Sequence, residues 1–228
     1  MDLSERIKDV EDRITSACKR CGRNREDVRI VAVTKYVSLS LTEQIVEAGF
    51  HHVGENRWQD AKAKWEALSD RVTWHFIGHL QTNKVKDVVG KFAYIHSVDR
   101  LNLAAEISRK AMEFGVVARI FLQVNVSGED TKYGVAPEGL FELAESVKSL
   151  PGIEVLGLMT MAPHENDPER TRPVFRRLRE LRDELNDAKL FPYPLVELSM
   201  GMSNDFEVAI EEGATWVRLG SVLLPYEG

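Results

Sequence analysis

The stretch Val28-Arg29-Ile30-Val31-Ala32-Val33-Thr34 decides the fold. Its apolar run is nearly continuous rather than alternating, which marks a strand covered on both faces, as in a parallel sheet flanked by helices. Ser40-Leu41-Thr42-Glu43 follows as a capping box, opening a helix that Gly49 closes. Residues 50–54 read as the next strand. Trp58, Ala61, Trp65 and Leu68 then recur at helical spacing, the inward stripe of the next helix.

The same unit continues in both directions. Further strands are expected over 72–77, 92–98, 118–126, 153–159, 195–200 and 215–219. Further helices are expected over 82–89, 100–114, 137–149, 168–186 and 204–212, after a first helix over 3–20 carrying Ile7, Val10, Ile14 and Ala17. Asp99 reads as an N-cap, Pro168 suits a first helical position, and Gly213 stops the last helix. Eight strands separated by seven helices imply right-handed parallel crossovers. At this length the expectation is one (β/α)8 TIM-type barrel over residues 1–228 with an extra N-terminal helix. No Pro/Gly/Ser-rich linker divides it.

Composition removes several function classes. The net charge of -6 and a basic run, Arg170 to Arg182, that alternates with acidic and apolar residues argue against nucleic-acid binding. No apolar run reaches the ~20 residues of a membrane span, and the opening residues lack an apolar signal segment, so a cytoplasmic protein is expected. Cys18 and Cys21 have no matching second pair for zinc and read as helix-end residues.

In such a barrel the chemistry lies at the C-terminal strand ends. Strand one ends in Lys35. Burial there favours the neutral, nucleophilic amine needed for a Schiff base, whereas snorkelling to solvent is the ordinary alternative, and position alone does not choose. The strand-seven loop, Ser199-Met200-Gly201-Met202-Ser203-Asn204-Asp205, runs into a helix start. Alone it reads as a helix cap, but such a turn also offers backbone N–H groups to an anion. Strand eight sets Gly220 and Ser221 beside it, where barrels often bind phosphate. An amine facing a phosphate cradle suits a cofactor that is both aldehyde and phosphomonoester, namely pyridoxal 5'-phosphate (PLP).

Nine stretches carry a closer resemblance: Ala32-Val-Thr-Lys35, Gly54-Glu-Asn-Arg57, His75-Phe-Ile-Gly78, Leu80-Gln81, Asn83-Lys84, Gln123-Val-Asn125, Gly157-Leu-Met-Thr-Met161, Ser199 to Asp205, and Arg218-Leu-Gly220. In that order they resemble the pyridoxal phosphate homeostasis protein family, the YggS-like proteins, over essentially the whole chain. The resemblance implies a barrel related to the N-terminal domain of alanine racemase. It also implies PLP held as a Schiff base on Lys35, with storage, buffering or delivery of the cofactor as the function. Ser203, Gly220 and Ser221 would hold the phosphate, Asn56 would lie near the cofactor, and Arg218 would approach its ring. Met159, Met161, Met200 and Met202 stand at strand ends, where methionines either fill the mouth or touch the cofactor; Met200 is kept as a contact. Three departures stand out: Ser221 for threonine, Asp60 for glutamate on an exposed helix face, and a tail, Leu223 to Gly228, without Phe-Gly.

Between catalyst and carrier, the balance favours the carrier. A racemase needs a second acid/base opposite the cofactor, and the eight units leave no stretch for the domain that supplies it in alanine racemase. A ring nitrogen facing Arg218 would also stay unprotonated, weakening the electron sink. The alternative is a PLP-dependent amino-acid racemase, with His79 or Tyr133 as the base. His75 is expected to pack inside the barrel, and Lys84 and Lys132 are secondary candidates for aldehyde capture. Apo-enzymes that need PLP are candidate partners, and the chain is expected to be a monomer or weak dimer.

Overall fold

The computed structural model describes residues 2–129 and 133–225. Lys132 and the last three residues of the tail therefore lie outside the described residues. Strands β1 (Arg29–Val33), β2 (His52–Glu55), β3 (Thr73–Phe76), β4 (Tyr94–Val98), β5 (Ala118–Gln123), β6 (Ile153–Met159), β7 (Glu197–Met202) and β8 (Trp216–Leu219) form a closed barrel in sequence order. Every pairing is parallel, and β1 joins both β2 and β8. The helices are α1 (Leu3–Cys21), α2 (Leu39–Glu47), α3 (Trp58–Leu68), α4 (Val85–Val88), α5 (Leu101–Phe114), α6 (Leu140–Val147), α7 (Arg172–Asp187) and α8 (Phe206–Glu211). This is the (β/α)8 barrel expected from the alternating pattern.

Helix α1 is opened by a reciprocal cap. The Asp2 carboxylate accepts the Glu5 N–H at 2.8 Å, and the Glu5 carboxylate accepts that of Asp2 at 2.9 Å. Its apolar stripe, Val10, Ile14 and Ala17, is fully buried. Arg13 and Arg20 reach across to Glu207 (3.0 Å) and Glu211 (2.6 Å) of α8. The N-terminal helix thus packs beside α8, in the place a helix following β8 would take. Beyond Leu219 the described chain is a turn in which Leu223 and Leu224 both donate to the Gly220 carbonyl, at 2.9 and 2.8 Å.

Several boundaries differ from the sequence reading. Helix α2 is capped by Ser38, whose hydroxyl accepts the Leu41 N–H at 3.1 Å, so Ser40 already lies inside the first turn. Asp99 does not cap α5; its carboxylate is taken by the Arg100 guanidinium at 2.6 Å. Pro168 opens a short 3-10 turn, capped by Asp167, that precedes α7. The expected helix over 82–89 is a 3-10 turn followed by the four residues of α4. Strand β7 runs on to Met202, so α8 starts at Phe206 rather than Asn204.

Strand alternation sorts side chains into two layers. Ile30, Ala32, Leu198, Met200, Val217 and Leu219 join the core between barrel and helices. Val31, Phe121, Met159 and Trp216 fill the interior with Tyr94, Leu156 and Met161 packed against them. The interior is not wholly apolar: His75, His96, Ser199 and Arg218 are buried there, at 0 to 4% exposure.

Candidate functional site

The site is built around the end of β1, which lies between β8 and β2. Val33 pairs with Gly54, and Ala32 with Leu219. Past these pairs the Thr34 N–H donates to the Gly54 carbonyl at 3.1 Å, and a Cβ added at Gly220 would stand 3.6 Å from that of Val33, so both neighbouring strands flank the residues just before Lys35. Strand β1 ends two residues before Lys35. A turn closed by the Val37 N–H on the Thr34 carbonyl, at 3.2 Å, then reverses the chain. Tyr36 takes the left-handed region of that turn at φ 69° although it has a side chain, an uncommon backbone conformation for a residue that is 81% exposed. Lys35 is half-buried, with its ammonium 5.7 Å from the Tyr36 ring centroid.

The turn owes its rigidity to a buried ion pair. Lys64 of α3 donates to the Thr34 carbonyl at 2.7 Å and to Glu55 Oε1 at 2.9 Å; the Thr34 hydroxyl donates to the same carboxylate oxygen at 2.6 Å. Glu55 is fully buried, and its Oε2 accepts no hydrogen bond among the described residues. Thr34 and Glu55 lie in stretches singled out from the sequence but were given no role there, and Lys64 was missed. Lys64 nevertheless lies three after Ala61 and four before Leu68, on the buried stripe of α3, and a lysine there is a signal in itself.

Past the end of β8, the neighbour of β1, lies a set of converging donors. The Gly220 and Val222 N–H groups both point at Ser203 Oγ, at 3.2 and 3.3 Å. Two backbone donors focused on one oxygen form an anion-accepting nest, with the serine hydroxyl inside it. Asp205 shapes the preceding loop by accepting the Met202 N–H at 2.7 Å. Gly201 is required there, because at φ 93° an added Cβ would stand 2.6 Å from that of Ala209. Gly78 is equally constrained: its Cβ would lie 2.3 Å from the Asn56 carbonyl oxygen, which fixes the backbone of half-buried Asn56 against β3. Ser221 is exposed, its carbonyl held by Arg6 at 3.0 Å.

Arg218 lies inside the barrel, 4% exposed, donating to Ser199 Oγ (2.7 Å) and the Thr160 carbonyl (2.9 Å). Burial pulls its pKa down to about 10, while the charge of Asp205 works against that fall. It remains a cation at neutral pH. Burial in turn raises Asp205, against its backbone bond and the nearby arginine. Met200 is turned the other way: its neighbour Ser199 faces inward, and the Met200 side chain sits in the helix-facing core. His75 packs inside between His52 and His96, and Asp60 is exposed. Cys18 and Cys21 are free, and no cluster suited to a metal ion occurs among the described residues.

The alanine racemase N-terminal domain model matches residues 8–227. A pyridoxal phosphate homeostasis protein of Aquifex aeolicus is 49% identical over 224 residues, 98% of this chain and 97% of the relative. Its counterpart in Pseudomonas aeruginosa is 41% identical, covering 97% of this chain and 94% of the relative. This chain belongs to the pyridoxal phosphate homeostasis protein family. PipY of Synechococcus elongatus, solved with PLP bound, superimposes with a TM-score of 0.84 at 32% identity, covering 98% of this chain and all of that one. An alanine racemase of Clostridium difficile shares the fold, with a TM-score of 0.72 at 16% identity over 97% of this chain and 56% of its own. Within this homeostasis family chain, the amine, the donor nest and the buried arginine all lie on strand ends or loops of one barrel seam.

Proposed function

We propose that this chain binds PLP at the barrel mouth through a Schiff base on Lys35 and serves PLP homeostasis by storing, buffering or delivering the cofactor, without substantial amino-acid turnover. The observation that carries this reading is that Lys35 follows β1 at the end where the neighbouring strand β8 runs into the nest of Gly220, Val222 and Ser203. When bound, PLP supplies an aldehyde that condenses with an amine and a phosphate that converging N–H groups hold. The donor set matches both ends. Lys64, the other lysine at this seam, is occupied by Glu55 and Thr34, which leaves Lys35 for the aldehyde. Asn56 and Arg218 complete the proposed contacts, Arg218 toward the ring. The family's homeostasis role and the PLP held by PipY support the same reading.

The reading extends to a cytosolic protein, monomeric or weakly dimeric, that passes PLP to apo-enzymes. No helix among the described residues is long and apolar enough to cross a membrane, which agrees with it. Borohydride reduction of the loaded protein followed by peptide mapping is expected to leave the pyridoxyl mass on the Lys35 peptide. Recovery mainly on Lys84 or Lys132 overturns the attachment.

A racemase is the second reading. The observation behind it is that His79 and Tyr133, the two candidate bases, stack with centroids 3.8 Å apart on loops after β3 and β5. Exchange of an amino acid's α-hydrogen with solvent deuterium separates the two. The carrier exchanges none at an enzymatic rate, whereas tens of turnovers per second would establish catalysis.

A further inference from the structure

The barrel interior holds an uninterrupted polar chain. His52 Nδ1 lies 3.0 Å from His75 Nε2, His75 Nδ1 2.9 Å from His96 Nε2, and His96 Nδ1 2.8 Å from Ser199 Oγ, which accepts from Arg218 at 2.7 Å. We infer that this is a one-way hydrogen-bond chain that fixes the Arg218 guanidinium, with Ser199, His96 and His75 as its positioning residues. That Arg218 faces the cofactor ring rests on the PLP reading; the chain itself does not.

The direction follows from counting protons. Arg218 only donates, so Ser199 Oγ accepts from it. The single Ser199 hydroxyl proton must then go to His96 Nδ1. His96 therefore carries its proton on Nε2 and donates to His75 Nδ1. His75 likewise carries its proton on Nε2 and donates to His52 Nδ1. In the reverse order His96 and Arg218 would both donate to Ser199, leaving the hydroxyl proton no acceptor in the chain, at a serine that is fully buried. A third proton state, with a charged imidazole, is opposed by burial at both inner histidines and by the positive charge of Arg218 beside His96.

The chain also crosses the molecule. His52 is half-buried and lines a cleft of about 360 Å³ at the N-terminal end of the barrel, with Arg29 and His51. Tyr94 and Phe121 stack on His75 and His96, at 4.6 and 4.3 Å between centroids, and hold the rings in line. Neither of the Arg218 bonds uses Nε. The chain sets the guanidinium plane by pinning one end while Thr160 pins the other.

Imidazole ¹⁵N resonances of the uniformly labelled, cofactor-free protein test the order directly. His75 and His96 are both expected as neutral Nε2–H forms at pH 7.5. Ser199→Ala should release that order into mixed tautomers, and Ser199→Thr should restore it. A wild-type protein showing Nδ1–H at either ring, or an alanine variant with unchanged tautomers, overturns the chain. On addition of PLP, Ser199→Ala should shift the visible band and weaken retention several-fold, with the threonine variant recovering both. An unshifted band and full retention in Ser199→Ala would overturn the positioning role while leaving the PLP reading intact. Failure of the wild type to take up PLP would sink the cofactor reading, and the resonances would still decide the chain.

Discussion

Lys64 and Glu55 show how buried residues can hold in place the neighbour proposed to carry the cofactor. Taking a carboxylate and an ammonium out of water is costly, and their attraction repays it only with good geometry and extra hydrogen bonds. Here the Thr34 hydroxyl and carbonyl supply those bonds, and Thr34 is covalently next to Lys35. Lys64→Met would leave Glu55 buried without its cation and is expected to cost about 3–5 kcal/mol of stability. The double variant Lys64→Met/Glu55→Gln, which removes the stranded charge as well, should recover part of that loss. Urea denaturation of the three proteins measures it; a single variant within about 0.5 kcal/mol of wild type would show that the pair fixes nothing.

Among the elements, the loops after β7 and β8 decide whether the barrel mouth can hold an anion. Strand β8 delivers Gly220 and Val222 in a turn whose N–H groups converge, and β7 delivers Ser203 into their focus. Neither loop is a binding site alone, because each supplies only part of the donor set. The double variant Ser203→Ala/Ser221→Ala is expected to lose PLP affinity by about 1–3 kcal/mol, the size of hydrogen bonds to a charged group. Pyridoxal, which lacks the phosphate, should bind the variant as it binds the wild type. Equal weakening of both ligands in equilibrium titrations would reduce the serines to structural caps.

For the whole molecule, the polar interior links stability to pH. Burial holds His75 and His96 well below the ordinary histidine value, with neighbouring positive charge adding to the effect. As pH falls through about 6.5 the unfolded chain takes up these protons first, because its histidines are not depressed. Stability is therefore complete above that pH and declines below it, by up to about 1.4 kcal/mol per pH unit for each histidine. Denaturation at pH 7.5 and 5.5 should show this fall, and His96→Asn should show a smaller one. An equal pH dependence in the two proteins would mean that His96 takes no part in it.

The sequence by itself determined the order of strands and helices, and with it the closed barrel. Apolar runs such as residues 28–34 can be satisfied only between two covered faces, and the units alternate without a break. It also marked Lys35, Ser203, Arg218 and Gly220 as strand-end candidates. Helix starts were less legible: Ser40 with Glu43 reads as a capping box, yet α2 is capped two residues earlier by Ser38, just after the Thr34–Val37 turn. Tertiary structure decided which face most strand residues show, although His75 was already expected inside the barrel. A β7 running to Met202 turned Ser199 inward and Met200 toward the helices. It alone also joined His52, His75, His96, Ser199 and Arg218, far apart in the chain. The physical reason is that periodicity records burial, whereas hydrogen-bond partners across a barrel depend on strand register and stagger, which only closure of the sheet sets.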